Sequence, residues 1–153
     1  MRNRYRDFVV DHNQIELGTG GRTFDTARSG IRAWKMFDLG WVELFPANAP
    51  IVTGQTVAVR VHHYRFWSLN ACRIVYTMDE PRRFGFAYGT LSSHAERGEE
   101  RFTVEWRADD SVWFDILAFS KPRLPALLAR PLARKLQKRF ARDAMIAMQD
   151  LVR

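Results

Sequence analysis

The segment ERFTVEWRA, residues 100–108, alternates apolar and polar side chains with a period of two. This period is typical of a β-strand that buries one face and exposes the other to water. The predicted inner set is Phe102, Val104 and Trp106, and the predicted outer set is Arg101, Thr103, Glu105 and Arg107. The segment therefore predicts a sheet with one wet face.

Predicted strands flank this segment on both sides. FGFAYGTL, residues 84–91, is predicted to place Phe84, Phe86 and Tyr88 on the inner face, with small residues opposite, where something packs closely. VWFDILAFS, residues 112–120, follows the tight turn ADDS and is apolar on both sides. Strands joined by such short turns cannot be parallel, because parallel pairs need long crossover connections.

More strands are predicted upstream, where alternating or continuous apolar runs end at Pro, Asn or Asp. The predicted strands are residues 8–10, 40–45, 57–67 and 71–78, with a turn at SLN, residues 68–70. In the third of these strands, the spacing of the valines places His63 on the inner face, followed by Arg65 and Trp67.

Two helices complete the pattern. The spacing of Phe24, Ala27, Ile31 and Trp34 predicts a helix over residues 23–37 with Thr23 as its N-cap. A long amphipathic helix is predicted from Pro131 to the end of the chain. Its predicted apolar face is Leu132, Ala133, Leu136, Phe140, Ala144, Ala147, Met148 and Leu151, and its basic face is Arg134, Lys135, Lys138, Arg139 and Arg142.

The order of elements predicts an α+β fold of one domain over residues 1–153. A seven-stranded antiparallel sheet tends to curl, and the long C-terminal helix is the element expected to lie in its concave side. This helix-grip arrangement leaves room for a cavity between sheet and helix.

Two segments carry a family resemblance, SLNACRIVYTMDEPRRFGFAYGTLSSHAERGEERF at residues 68–102 and VWFDILAFSKP at residues 112–122. They resemble the uncharacterised DUF1990 family, also called UPF0548, and the likeness extends from LGTGGRTFDTARSGIRAW to the C-terminal helix. The resemblance implies a helix-grip fold like that of birch pollen allergen and START domains, whose members bind lipids, hormones, flavonoids and polyketides. A few of those relatives are cyclases or hydrolases, so the resemblance implies a fold and not an activity.

Composition and charge indicate the compartment and the kind of surface that this protein has. No apolar run reaches the roughly 18 residues that a membrane span needs, and the first residues do not form a signal peptide, so we expect a cytoplasmic protein. The one cysteine, Cys72, excludes an intrachain disulfide and is expected to be a small buried hydrophobe. The net charge of +7 lies wholly in residues 121–153, which hold nine Lys or Arg and two Asp.

The leading functional hypothesis is a small hydrophobic or amphipathic ligand, such as a lipid or polyketide, held between the sheet and the C-terminal helix without a cofactor. Aromatic rings with a polar end suit such a ligand, and a histidine and an arginine on an apolar face can position its carboxylate or carbonyl. The predicted lining residues are Tyr88, His63, Arg65, Trp67, Tyr76 and Trp106. The protein is expected to be a monomer or a homodimer.

Two alternatives stay open. The same cavity suits a cyclase- or hydrolase-like enzyme, which requires a buried polar pair such as His63 with a carboxylate, although no nucleophile motif marks a catalytic residue. The basic helix suits an anionic polymer or surface contacted through Arg134, Lys138 and Arg142, whereas no specific nucleic-acid motif is present.

Histidine and glutamates cluster between the two central strands, at His94, Glu96, Glu99 and Glu100. Their spacing matches no strong metal motif, so no metal is expected. They are predicted to form the solvated end of a hairpin, where charges keep a sheet edge soluble.

Overall fold

The computed structural model describes residues 9–91, 96–122 and 130–153. Its described strands form one antiparallel sheet. The strands are β1 (Val9–Thr19), β2 (Val42–Phe45), β3 (Thr56–His63), β4 (Phe66–Glu80), β5 (Arg83–Thr90), β6 (Glu96–Trp106) and β7 (Ser111–Pro122), and the helices are α1 (Gly20–Arg32) and α2 (Arg130–Val152). The spatial order of the strands is β1-β7-β6-β5-β4-β3-β2. The predicted fold is confirmed: a curved seven-stranded antiparallel sheet with a long C-terminal helix.

The central strands follow the predicted alternation. Phe84 and Phe86 of β5 and Phe102 and Val104 of β6 are buried on the face that meets the helices, which we call the inner face. The rings of Phe86 and Phe102 lie 5.4 Å apart. Because β5 and β6 pair directly, these side chains form the middle of the core.

Helix α1 covers one half of the inner face. Phe24 and Ile31 are almost fully buried against the sheet, and the Trp34 ring meets the Phe86 ring edge-on at 4.8 Å. The Trp34 indole N–H donates to the Ala49 carbonyl at 2.8 Å, which satisfies the polar atom of a buried ring. Burial of this apolar surface stabilises the fold and seals that half of the sheet.

The bounds of α1 differ from the predicted 23–37. The N-cap is Thr19, not Thr23, because Gly20 has φ +86° and donates its backbone N–H to Asp110 at 2.9 Å. The helix ends at Arg32, since Trp34 has the left-handed backbone conformation, and a separate 3-10 helix follows at Lys35–Phe37. The predicted burial of the apolar spacing is nevertheless confirmed.

Strand β1 is far longer than the predicted short strand at residues 8–10, of which residue 8 lies outside the described residues. It pairs with β7 from Val9 to Thr19, with a bulge between Glu16 and Gly18. The polar run HNQ, residues 12–14, does not show the pattern of a buried strand. His12 and Gln14 lie on the outer face, and an edge strand tolerates polar residues.

The turn between β3 and β4 is also displaced from its predicted position. It falls at Tyr64 and Arg65, where Tyr64 has φ +54°, and not at residues 68–70. Trp67 therefore lies in β4, which begins at Phe66, and it pairs with His62. Because the chain reverses before Trp67, its side chain lies on the face opposite to the predicted one.

Helix α2 is buried mainly in its C-terminal half, where α1 and the 3-10 helix pack against it. The predicted apolar face is confirmed at Ala144 and Met148, and Ala141 and Met145, which the prediction omitted, are buried as well. The prediction is wrong at Leu132, which is exposed because it precedes this packed half.

Candidate functional site

A tyrosine and a glutamate meet on the inner face where β5 pairs with β6. Tyr88 lies opposite Glu100 in the ladder, and its hydroxyl donates to Glu100 Oε1 at 3.1 Å. Both residues share the parity of Phe86 and Phe102, so both side chains point toward the helices. The pair forms the polar end of the aromatic core.

Beyond this pair the inner face is no longer sealed. Phe86 and Phe102 are fully buried, whereas Tyr88, Glu100 and the small residues beside them are only half-buried. Helix α2 packs on β1 and β7 at this end, to one side of the pair. We call the accessible inner-face set the inner cleft; it comprises Asn70, Tyr88, Thr90, Gly98, Glu100 and Ala118.

Burial changes the ionisation of the pair. Loss of water contact raises the pKa of the Glu100 carboxyl from 4.5 to about 7; the hydrogen bond from Tyr88 opposes this rise, and the charge on Asp11 adds to it. Burial, together with the Glu100 carboxylate, raises the pKa of Tyr88 well above its ordinary value of 10.0. Glu100 therefore gains or loses a proton near neutral pH, while Tyr88 stays a neutral donor.

Cys72 lies next to the inner cleft, opposite Thr90, and its predicted burial is confirmed. Burial raises the pKa of the thiol from 9.0 to about 12, with a further contribution from Glu100. The thiolate is the reactive form of cysteine, so a pKa rise of this size lowers the reactive fraction roughly 1000-fold. Cys72 therefore packs in the core, and we expect its thiol to react slowly.

We expect the native protein to resist thiol labelling at pH 8. Cys72 should react with Ellman's reagent at least about 100-fold more slowly than in urea-unfolded protein, because burial limits both access and thiolate formation. The two rates are compared by absorbance in parallel samples. Equal rates would show that Cys72 is exposed to solvent in the native state.

An ion pair positions α2 beside the inner cleft. Arg134 binds Asp11 of β1 through two contacts, one of them Nη2 to Oδ1 at 2.6 Å. Asp11 lies opposite Ala118, and Ala118 lies opposite Glu100, so the ion pair and Glu100 share one row across the sheet. Two-contact pairing of this type fixes orientation as well as distance.

The basic face of α2 is partly neutralised by carboxylates. Arg139 and Arg142 approach Asp143 at 3.6 and 3.2 Å, and Asp143 also accepts a hydrogen bond from the Trp41 indole at 3.0 Å. Of the three cations predicted to contact an anionic surface, Arg134 and Arg142 thus meet carboxylates, and Lys138 is exposed. Binding through this face stays a prediction.

The six predicted lining residues do not converge. Tyr88 lies in the inner cleft. Trp106 faces inward as predicted, but it packs on Phe24 of α1 at 6.1 Å and lies six residues from Glu100 along β6, a separation of roughly 20 Å. These aromatic side chains occupy opposite ends of the inner face.

His63 lies at the far end of β3. It keeps the inward parity of Val59 but pairs with Phe66, eight residues along β4 from Ile74, the partner of Tyr88. This places it roughly 25 Å from the Tyr88 row. Its Nδ1 is buried and has no hydrogen-bond partner among the described residues.

The predicted inward orientation is wrong for the other three residues. Arg65 lies in the exposed turn after β3. Trp67 is on the outer face, stacked on His62 at 4.0 Å, because the turn comes earlier than predicted. Tyr76 is also on the outer face, since a bulge at Val75 shifts the register between Ile74 and Tyr76. Contact between these residues and a ligand stays a prediction.

The outer face carries a polar cluster of its own, centred on Asp115. Asp115 accepts a hydrogen bond from Gln14 at 2.9 Å and pairs with His12 and with Arg101, the latter at 3.4 Å. Tyr76 lies close to Arg101 and Glu99 on the same face. These contacts join β1, β7, β6 and β4 side to side, which is a structural role.

A shallow open groove lies outside the sheet, between α1 and the end of α2. Sequence reasoning did not predict it. It is wide open to solvent, so it lacks the enclosure that small-molecule sites usually have. The lining residues are Arg22, Asp25, Thr26, Ser29, Gly30, Ala33, Lys35 and Leu151.

Within residues 9–91, 96–122 and 130–153, no group of three or more His, Cys, Asp or Glu side chains is arranged to hold a metal ion. His94, one member of the predicted hairpin cluster, lies outside the described residues. In the same described ranges, no helix is both long and apolar enough to cross a membrane.

Glu100 is a candidate site residue that sequence reasoning missed, since it was predicted to face water with the neighbouring glutamates. The signal was present in the alternation of residues 100–108, where Glu100 has the same parity as Phe102. Continuing the strand by one more residue pair places its carboxylate inside, opposite Tyr88.

Solved structures with the same architecture come from several sources. The chain aligns with a hypothetical protein from Helicobacter pylori at TM-score 0.69 and 9% identity, over 100% of this chain and 92% of that one. The Zhui aromatase/cyclase from Streptomyces sp. R1128 aligns at 0.66 and 12%, over 95% and 93%. Norcoclaurine synthase from Thalictrum flavum, in complex with dopamine and hydroxybenzaldehyde, aligns at 0.59 and 12%, over 95% and 86%. At these identities the likeness shows a helix-grip fold alone.

Sequence relatives are more similar. A UPF0548 protein of Dictyostelium discoideum is 38% identical over 165 aligned positions, covering 99% of this chain and 76% of the relative. A UPF0548 protein of Deinococcus radiodurans is 39% identical over 143 positions, covering 85% and 71%. The family model for DUF1990, a domain of unknown function, matches residues 3–147. The chain therefore belongs to the DUF1990 (UPF0548) family.

Proposed function

We propose that the inner cleft binds a small amphipathic molecule whose polar group meets Glu100 and Tyr88. The observation that carries this proposal is a half-buried, hydrogen-bonded carboxyl at the accessible end of the aromatic core. Buried polar groups are costly unless they are satisfied, and Glu100 has more acceptor sites than the one that Tyr88 occupies. A ligand hydroxyl, which can donate, is the expected partner for the remaining acceptor sites of the carboxyl.

The apolar part of the ligand would lie against the aromatic end of the core. The partly accessible rings at this end are Tyr88 and Phe140, which both meet the buried Phe102 ring edge-on, at 5.6 and 6.2 Å. Aromatic walls with a few placed polar groups are typical of small-molecule sites. The complex of norcoclaurine synthase with dopamine and hydroxybenzaldehyde supports this use of the fold, though not this particular ligand.

The test is ligand retention measured by native mass spectrometry. The pure protein is incubated with a mixture of lipids and metabolites, and bound mass is compared for wild type, Glu100→Gln and Tyr88→Phe. Loss of a hydrogen bond to a charged group costs about 1.5–3 kcal/mol, so we expect retention to fall roughly 10- to 100-fold in both variants. Their thermal melts confirm that each variant is folded.

Glu99→Gln is the matched control, because it removes the same charge from the adjacent residue on the outer face. It should retain ligand like wild type. Equal retention by Glu100→Gln and wild type, or loss of ligand in Glu99→Gln alone, would overturn the proposed site.

A second candidate function is acid–base catalysis in the same cleft. It is favoured by one observation: the pKa of Glu100 is raised to about 7, so the carboxyl can accept and return a proton near neutral pH. Tyr88 would then donate to the oxygen on which charge develops. The aromatase/cyclase and norcoclaurine synthase likenesses raise the prior for such chemistry without assigning it.

Catalysis makes a separate prediction about the ligand that is retained. When this ligand is incubated with the protein in D₂O, an acidic C–H of the ligand should exchange for deuterium. The exchange rate should depend on pH as expected for a catalytic group with a pKa of about 7. Glu100→Gln should abolish exchange even at saturating ligand. Retention of the ligand without deuterium exchange would support a binding domain and contradict the enzyme hypothesis.

A further inference from the structure

The hairpin that joins β3 to β4 exposes large apolar side chains to water. We call residues 64–69 the aromatic tip. Four of its six residues have large apolar side chains that are exposed: Tyr64 at 77%, Phe66 at 68%, Trp67 at 56% and Leu69 at 68%. Such a concentration of apolar surface on a short segment marks a contact site.

The aromatic tip projects from the sheet. The hydrogen bond from Leu91 N to Ala71 O, at 3.1 Å, marks the end of the pairing between β4 and β5. Strands β3 and β4 continue past it as far as the His63–Phe66 pair. Phe66 has the inner parity and Trp67 and Leu69 the outer parity, so apolar side chains lie on both sides of the projection. Its shape is a wedge and not a plate.

Positive charge surrounds the wedge. Arg65 lies at the turn itself and is exposed, and Arg60 and Arg73 follow on the outer face of β3 and β4. Arg60 pairs with Glu43, and its guanidinium carbon lies 4.6 Å from the centre of the Trp67 ring. Residues 1–120 carry no net charge and the net charge of +7 lies in residues 121–153, so attraction of the tip to an anionic surface comes from its own arginines.

We propose that the aromatic tip docks onto a bilayer surface that contains anionic lipids. Trp and Tyr favour the interface between headgroups and acyl chains, and apolar burial combined with electrostatic attraction is how interfacial segments bind. The tip lies at the same end of the sheet as Thr90 and Glu96, so a docked tip turns the open end of the inner cleft toward the bilayer.

Two other occupants fit the observations less well. Stacking of nucleic-acid bases needs free ring faces, but the Trp67 ring already stacks on His62 at 4.0 Å and lies beside the Arg60 guanidinium. A second copy of the chain would need an interface of roughly 20–30 residues on each side, far more than a tip of six residues supplies. A wedge that inserts among lipids has no such requirement.

Vesicle sedimentation tests the proposal. Wild type should sediment with vesicles of phosphatidylcholine and phosphatidylserine, and much less with phosphatidylcholine alone. Phe66→Ser/Leu69→Ser should lower the partition coefficient at least about tenfold, because it removes two of the inserting side chains. The matched control, Val10→Ser/Val52→Ser, changes two valines exposed to 52% and 50% away from the tip and should bind like wild type.

Further variants separate the sources of binding. Arg65→Glu should lower partition onto anionic vesicles roughly tenfold and leave partition onto phosphatidylcholine alone unchanged. If Lys135→Glu/Lys138→Glu abolishes sedimentation while the tip variant keeps it, α2 and not the tip is the contact, and the proposal fails. It also fails if wild type stays in the supernatant with anionic vesicles, or if gel filtration shows a dimer that only the tip variant loses. Ligand retention tests the inner cleft, and it is measured separately from vesicle binding.

Discussion

Replacement of Gly85 by alanine is expected to destabilise the protein by about 3 kcal/mol, the upper end of what overpacking usually costs. A Cβ at this position would overlap the carbonyl oxygen of Phe102 and come within 2.8 Å of the Thr103 Cα, both in the neighbouring strand β6. Backbone atoms in the middle of a sheet cannot move aside as a flexible side chain can. The small residues predicted to allow close packing do so here, against the adjacent strand.

Gly89→Ala is the control, because it makes the same change on the same face of the same strand. Its Cβ would lie 3.6 Å from Val75 Cγ1, an ordinary contact. Removing a strand glycine then leaves the free energy of unfolding unchanged or raises it by up to about 1 kcal/mol. Urea denaturation of the two variants and wild type measures the difference, and equal values for the two variants would contradict the close approach at Gly85.

Glu100→Gln is expected to remove a large pH dependence of stability. In the folded protein the pKa of Glu100 is raised from 4.5 to about 7, so between these values the folded state holds a proton that the unfolded state has lost. The stabilising effect is complete below pH 4.5 and is lost as pH rises to about 7. For a half-buried group the loss should amount to about 2–3 kcal/mol in wild type.

In the Glu100→Gln variant, the side-chain amide keeps an oxygen that can accept from Tyr88 but does not ionise. At pH 5 the variant and wild type should therefore have similar free energies of unfolding, and at pH 8 the variant should be more stable by about 2 kcal/mol. Glu99→Gln, on the outer face, should follow the wild-type profile. Parallel curves for wild type and Glu100→Gln between pH 5 and pH 8 would show that the carboxyl is fully solvated.

Much of the fold could be predicted from side-chain periodicity. Strands β5 and β6 alternate, and their inner faces are the predicted ones because burial is the dominant constraint on a central strand. Strand β1 could not be recognised in the same way, since an edge strand with a polar outer face shows little alternation. The predicted turn at residues 68–70 failed because YRFW reads as strand, yet Tyr64 takes a left-handed conformation.

The candidate site shows the limits of periodicity more sharply. Tyr88 was found because its strand is regular, and Tyr76 was misplaced because one extra residue at Val75 reverses the parity after Ile74. A bulge leaves no clear mark in the sequence. Glu100 was missed for a different reason: its acidic neighbours suggested a solvated end, although its parity with Phe102 pointed inward.

The pairing of β1 with β7 also constrains how the chain can fold. The ladder joins Val9 to Ser120 and Thr19 to Ser111, residues that are about a hundred positions apart. Closing so long a loop is entropically costly, and folding rates fall as such distant contacts become more numerous. Strands β2 to β6 pair with near neighbours and can assemble early, whereas β1 must wait for β7. On the ribosome, β1 therefore waits for about a hundred further residues to be made before β7, its partner among the described strands, is present.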